Sequence, residues 1–254
     1  MSFDFNDFCS PAYHKHSLMV HSYDVDFNKH LTITSLFNYF QEIAWEHADI
    51  LRFGLNDLSK NNQFWVLSRV RVEIDQLPKW TDNIRLITYP RGVDGLLALR
   101  DYEIYNSMNE RIIGGSSSWI ILNAENHRPV KLAEQDLVRY SNPRSALVTN
   151  ASKIKEVREC LIKEEVFSVK PGDIDVNQHV NNTRYIDWAI NAFSFQHYQK
   201  FQPKIIEVNF MAEGKQDDNI KIQLFEIAED ENIINIKRTN DLKDLARVYV
   251  KWGQ

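Results

Sequence analysis

Residues 173–180 read Asp-Ile-Asp-Val-Asn-Gln-His-Val, and residues 24–31 read Asp-Val-Asp-Phe-Asn-Lys-His-Leu. The polar positions Asp, Asp, Asn and His recur at identical spacing, and each residue between them keeps its character. The copies start at 24 and 173, an offset of 149 residues, which suits one whole domain. The chain therefore reads as a duplication, with 1–145 as a first domain and 150–254 as a second.

Each copy is followed by helical periodicity. After the first, Leu36, Phe40, Ile43, Ala44, His47, Ile50 and Leu51 fall on one face, with Gly54 beyond them as a stop. After the second, Tyr185, Trp188, Ala189 and Ala192 recur at similar spacing. Strand patterns come next: 64–74, 83–89, 96–105 and 112–122 in the first half, then 204–210, 220–227, 233–237 and 246–252 in the second. Turn signals such as Asp94-Gly95 and Met108-Asn109 separate them. The repeat resumes beyond the helix, where 75–84 (Asp-Gln-Leu-Pro-Lys-Trp-Thr-Asp-Asn-Ile) aligns without gaps on 211–220 (Met-Ala-Glu-Gly-Lys-Gln-Asp-Asp-Asn-Ile). Each half is thus a strand, a polar loop, a long helix and an antiparallel sheet. Such an α+β unit buries the helix's apolar face on the sheet. The polar stretch 143–155, opening at a proline, is the expected linker.

Composition narrows the function classes. Hydrophobic residues make up 43% and charged residues 26%, the balance of a soluble globular chain. The net charge of -5, with both signs scattered, offers no concentrated basic footprint for nucleic acid. Two cysteines, Cys9 and Cys160, build no disulfide framework and no CxxC motif, which points to a reducing compartment. Residues 1–7 carry acid where a targeting peptide carries base. No apolar run approaches the roughly 18 residues that span a bilayer. A cytoplasmic setting, without membrane or nucleic-acid partners, is expected.

The duplicated motif has chemistry of its own. If the loop is extended, alternate side chains share a side, so Asp175, Asn177 and His179 would converge. The helix start beside them offers unpaired N–H groups and partial positive charge for an oxyanion. A general acid or base, a polarising amide and an anion site are the parts that acyl-bond hydrolysis requires. Capping of the helix is the plainer reading of an Asp or Asn here, but capping alone does not call for the histidine. Calcium fails. Asp-x-Asp-x-Asn opens an EF-hand loop, which needs Gly at position six and Glu at twelve; here those places hold Gln178 and Arg184, or Lys29 and Ser35. Residues 114–118 (Gly-Gly-Ser-Ser-Ser) lack the second glycine of a GxSxG elbow. No P-loop, GxGxxG or HExxH occurs, and the eight histidines read as spread singly, which indicates no zinc site. No cofactor is expected.

The segment 173–182, Asp-Ile-Asp-Val-Asn-Gln-His-Val-Asn-Asn, with Tyr185, Ile186 and Trp188 after it, resembles the acyl-acyl carrier protein thioesterases of plants and bacteria. In the first half 39–47 (Tyr-Phe-Gln-Glu-Ile-Ala-Trp-Glu-His), 64–70 (Phe-Trp-Val-Leu-Ser-Arg-Val) and 119–122 (Trp-Ile-Ile-Leu) look like that family too. The resemblance runs from about residue 15 to beyond 215. It implies tandem hot-dog domains, the second catalytic and the first shaping the acyl pocket. The implied catalytic residues are Asp175, Asn177, His179 and Glu213. The implied partner is an acyl carrier protein bearing a 4'-phosphopantetheine acyl thioester. Many plant members follow the glutamate with cysteine; here Gly214 stands in that place, so a thiol nucleophile is replaced by direct attack of water.

The repeat selects the same half. Asp26, Asn28 and His30 match three of the four positions, but Leu77 is the counterpart of Glu213, so the first copy lacks a base. Backbone N–H groups around 180–182 are the expected oxyanion donors beside Asn177. Phe37, Phe40, Ala44, Ala48 and Leu51 are either the wall of an acyl channel or plain core. Arg69, Arg71, Arg91, Lys153 and Lys155 are candidate cations for an acidic carrier. An acyl-CoA thioesterase, a non-catalytic acyl-binding module and a hydratase on the same fold stay open as rivals, as does oligomeric state, a homodimer included.

Overall fold

The computed structural model describes residues 12–131 and 141–254; Cys9 and the acidic run 1–7 lie outside them. Contacts divide the chain into two compact units, one holding residues up to 68 and 75–150, the other Arg69–Ile74 and Ala151–Gln254.

In the first unit β1 (His14–Met19) leads through the motif loop into helix α1 (Ile33–Ile50), and a short α2 (Leu55–Ser59) follows. Then come β2 (Gln63–Ile74), of which residues 63–68 belong to this unit and Arg69–Ile74 to the second, β3 (Asn83–Asp94), β4 (Leu97–Tyr105), β5 (Arg111–Asn123) and the two-residue β6 (Pro129–Val130). β1, β3, β4 and β5 lie side by side, all antiparallel, with β6 on β5. The Asp94-Gly95 turn forms as expected, Gly95 taking φ 61°, a conformation that costs glycine little.

Helix α1 is 18 residues long. Thr32 caps it, its side chain accepting from Ser35 N at 3.1 Å. Its inner face buries Leu36, Phe37, Phe40, Ile43, Ala44 and His47. Phe40 stacks on Tyr102 of β4, centroids 4.3 Å apart, so the core reading of this face holds for Phe40. Ile50, which helical spacing puts on the same face, is 56% exposed, whereas Leu51 beside it is buried. The expected stop, Gly54, instead precedes α2 as its N-cap.

The second unit repeats the order. β7 (Leu161–Ser168) and a 3-10 turn (Pro171–Asp173) lead to α3 (Asn182–Ile190) and a short α4 (Phe195–Lys200). β8 (Gln202–Phe210), β9 (Asn219–Ala228), β10 (Glu231–Arg238) and β11 (Asp244–Gly253) follow. Their sheet runs β8-β11-β10-β9-β7, and β2 residues Arg69–Glu73 pair with β8. α3 buries Tyr185, Ile186, Ala189 and Ile190; Ala192 is buried too, but beyond the helix end.

Strand alternation gives each sheet a second face, and there buried polar groups hold the connecting chain. In the first unit Asp101 Oδ2 accepts from Ala146 N at 2.8 Å, and Arg144 makes two bonds to Glu103, at 3.1 and 2.8 Å. In the second, Glu207 accepts from Ser152 N, Asn209 Oδ1 from Ile154 N at 2.8 Å, and Arg247 donates to Ile154 O at 2.9 Å. Within the expected linker 143–155, Ala146, Leu147, Ala151 and Ile154 are buried. A polar stretch is pinned here because buried backbone groups find partners on the sheets.

Candidate active site

The two motif loops are built by the same hydrogen bonds. Asp175 Oδ1 accepts from Asn177 N at 2.8 Å and His179 N at 3.3 Å, and Asp175 N donates to His179 O at 2.8 Å. In the first copy Asp26 Oδ1 accepts from Asn28 N at 2.8 Å and His30 N at 3.0 Å, and Asp26 N donates to His30 O at 2.8 Å. The residue before each histidine is left-handed, with φ 65° at Gln178 and 64° at Lys29. The loop is therefore a tight aspartate-anchored turn, not an extended run. A short carboxylate that bonds its own backbone two and four residues on favours such a turn.

The segments aligned by sequence across 75–84 and 211–220 also match in space. Val180 N donates to Gly214 O at 2.9 Å, as Leu31 N does to Pro78 O at 2.8 Å. Lys215 N donates to Asp218 Oδ2 at 2.9 Å, as Lys79 N does to Asp82 Oδ2 at 2.8 Å. Met211 N and Ala212 N share Leu245 O, as Asp75 N and Gln76 N share Ile112 O. These bonds make Glu213 and Leu77 equivalent. Leu77 is 5% exposed, an apolar plug where the second copy has its acid.

His179 Nε2 lies 3.3 Å from Glu213 Oε2, with side-chain exposures of 33% and 45%. An imidazole and a carboxylate at this spacing, still reached by solvent, can hold and deprotonate a water. Asn177 is exposed on the same turn. Asp175 acts on the backbone: its oxygen is spent on two N–H groups, so it sets where Asn177 and His179 stand. In the first copy burial, its largest influence, lowers the pKa of His30.

Two of the three backbone donors expected for an oxyanion are already engaged. Val180 N is bonded to Gly214 O, and Asn181 N to Asp173 O at 2.9 Å. Asn181 also caps α3, its Oδ1 accepting from Thr183 N at 2.9 Å. Of the expected three this leaves Asn182 N, in the first turn of α3, where the helix end favours negative charge.

Tyr185, which helical spacing marks only as an inward-facing residue, is a positioning residue. It is 2% exposed, and its Oη accepts from Gly214 N at 2.7 Å. Burial pushes its phenol pKa up, so the hydroxyl stays neutral. A Cβ on Gly214 would come within 3.0 Å of both Tyr185 Oη and Val180 Cγ2. A side chain there would need one of these neighbours to give by a few tenths of an ångström.

Two of the candidate carrier-binding cations are occupied within the chain. Arg71 bonds Glu207 at 2.9 Å and Glu73 at 3.0 Å, and Arg91 bonds Ser145 at 2.6 Å and also Asn150. Lys153 and Lys155 are exposed.

Comparison with known proteins follows the same division. A model of the acyl-ACP thioesterase N-terminal domain matches residues 11–140, and one of the C-terminal domain matches 155–254. An oleoyl-acyl carrier protein thioesterase of Arabidopsis thaliana chloroplasts is 27% identical over 222 residues, 81% of this chain and 60% of that protein. The chain spans about three fifths of the length of such curated relatives. Among solved structures, an acyl-ACP thioesterase from Bacteroides thetaiotaomicron superimposes with a TM-score of 0.89 at 25% identity, covering 95% of this chain and 98% of that one. A 12:0-ACP thioesterase from Umbellularia californica shares the fold, with a TM-score of 0.87 at 18% identity over 95% of this chain and 97% of that one.

Proposed function

The chain belongs to the acyl-ACP thioesterase family, and on that premise we propose that it hydrolyses fatty acyl-acyl carrier protein, releasing free fatty acid and holo-carrier. The observation that carries the reading is the His179–Glu213 pair, 3.3 Å apart on the one copy of the turn that kept its acid.

In this mechanism Glu213, with His179 beside it, takes a proton from a water molecule. The hydroxide attacks the thioester carbonyl carbon, and negative charge moves to the carbonyl oxygen. The Asn177 amide and the N–H of Asn182 stabilise that oxyanion; one such donor lowers the barrier by roughly 3 kcal/mol. Collapse of the intermediate breaks the carbon–sulfur bond. The pantetheine thiolate leaves with the proton that Glu213 or His179 gained. Gly214 supplies no thiol, so no covalent acyl-enzyme forms on it. Lys153 and Lys155 are the exposed cations offered to an acidic carrier, and its phosphopantetheine arm delivers the thioester.

The test is a panel of acyl carriers and matched acyl-CoAs, with free fatty acid and free thiol both measured. Turnover of the carrier substrates in preference to CoA supports the reading. Preference for CoA transfers the same chemistry to a nucleotide thioester. Binding without thiol release, or a product that keeps its thioester, overturns it.

A further inference from the structure

Strand β1 carries His14-Lys15-His16. Alternation places the two imidazoles on one face and the lysine on the other. β1 is the edge strand of the first unit's sheet, with His14 opposite Thr88 and His16 opposite Leu86 of β3. Helix α1 brings Glu46 to the same place. Its Oε2 lies 2.8 Å from His14 Nε2 and 2.8 Å from His16 Nε2, and the three donor atoms are all within 4.8 Å of one another.

We propose that His14, His16 and Glu46 form a binding site for a divalent transition-metal ion of the zinc type, which clips β1 to α1. A tetrahedral ion with bonds of 2.0–2.1 Å holds its ligands about 3.3 Å apart. The two 2.8 Å contacts therefore need to open by only about half an ångström. Two imidazoles and one carboxylate favour zinc, cobalt or nickel over magnesium or calcium, which prefer all-oxygen sites. In the loaded form each ring carries its proton on Nδ1 and turns the Nε2 lone pair to the ion. Side-chain exposures of 21%, 41% and 27% for His14, His16 and Glu46 leave an entry path and room for a water as fourth ligand. Behind the ligands, His47 is 1% exposed and stacks on His14, centroids 5.7 Å apart. This contact fixes the His14 ring as supporting groups do at metal sites. The Arg100 guanidinium is already engaged, at 3.0 Å from His47 Nδ1 and 3.2 Å from Thr88 Oγ1; its charge moderates the affinity without occupying the site.

The experiment uses the full chain without an affinity tag, stripped with chelator and titrated with cobalt(II), then zinc. One equivalent of cobalt should bind with the strong visible bands of a four-coordinate nitrogen–oxygen site, and zinc should displace it. The unfolding midpoint should rise with metal concentration, and magnesium should do neither. His16→Ala, at a partly exposed position, and Glu46→Gln, which keeps its shape, should each weaken binding at least tenfold. Glu213→Gln should leave it intact, which separates this site from the His179–Glu213 pair. No saturable cobalt binding, or cobalt affinity unchanged in His16→Ala or Glu46→Gln, overturns the proposal. None of these readouts depends on thioester hydrolysis.

Discussion

His179 Nε2 and Glu213 Oε2 stand 3.3 Å apart in the second unit, whereas the equivalent places in the first hold His30 and the buried Leu77, which is no acid. If that pair activates water, Glu213→Gln should lower kcat by about 10²–10⁴, and His179→Ala by a similar factor. Both side chains are partly exposed, so the unfolding midpoints should hardly move. Wild-type turnover in Glu213→Gln would remove it as the base.

The twin turns allow structure and chemistry to be separated. Asp175→Ala and Asp26→Ala each remove a carboxylate that accepts two backbone N–H groups. Both should cost about 1–3 kcal/mol in urea unfolding. Only Asp175→Ala should also depress kcat strongly, because only its turn carries a paired histidine and glutamate. Asn at either place, which keeps one acceptor oxygen, should recover most of the stability. Equal loss of turnover in both variants would contradict the assignment of chemistry to the second copy.

A side chain at Gly214 would press on Tyr185 Oη and Val180 Cγ2, each 3.0 Å from the Cβ position. Gly214→Ala should cost about 1–3 kcal/mol and lower kcat, since the displaced segment bears Glu213. Tyr185→Phe removes the acceptor of the Gly214 N–H and should cost a comparable amount. In the double variant the missing hydroxyl makes space for the new methyl, so the losses should fall short of additive by at least about 0.5 kcal/mol. Melting curves for the four members of the cycle decide it.

Hydrogen bonds from Arg158 at 3.0 Å and Lys237 at 2.7 Å hold the pKa of Glu156 down at about 2. A folded value below the unfolded one adds stability above about pH 4.5. That contribution is lost as pH falls from 4.5 toward 2. Glu156→Gln should be slightly less stable than the parent at pH 7, by no more than about 1 kcal/mol given the solvent exposure of the pair. The difference should vanish once the pH is well below 2. A constant difference across an acid titration of unfolding would show that the charge plays no part.

The duplication was legible because its residues encode geometry directly. Asp175 and Asp26 anchor identical turns, Gln178 and Lys29 adopt the same left-handed backbone, and Asn181 and Thr32 cap the helices that follow. Strand positions were legible from alternation, since each sheet buries one face under a helix. The direction of side chains within the turn was not. Treating residues 175–179 as extended makes Asp175 converge with Asn177 and His179, whereas the turn sends its oxygen to their backbone N–H groups. The use of Val180 N and Asn181 N depends on Gly214 and Asp173, partners that no local pattern specifies. His14 and His16 are close neighbours at strand spacing, but only the folding of α1 brings Glu46 between them. Arg71 and Arg91 read as free surface charge until Glu207, Ser145 and Asn150 are seen to occupy them.

The burial of Leu77 closes a road in the history of the chain. At least two base changes would be needed to place glutamate there, and the group would arrive in dry, apolar surroundings. An unpaired carboxylate buried in this way costs several kcal/mol or gives up its charge. With hydrocarbon in that corner of one copy and a carboxylate in the other, the two halves are not interchangeable. A mechanism-based titrant should therefore count one working centre per polypeptide, although the turn itself is built twice.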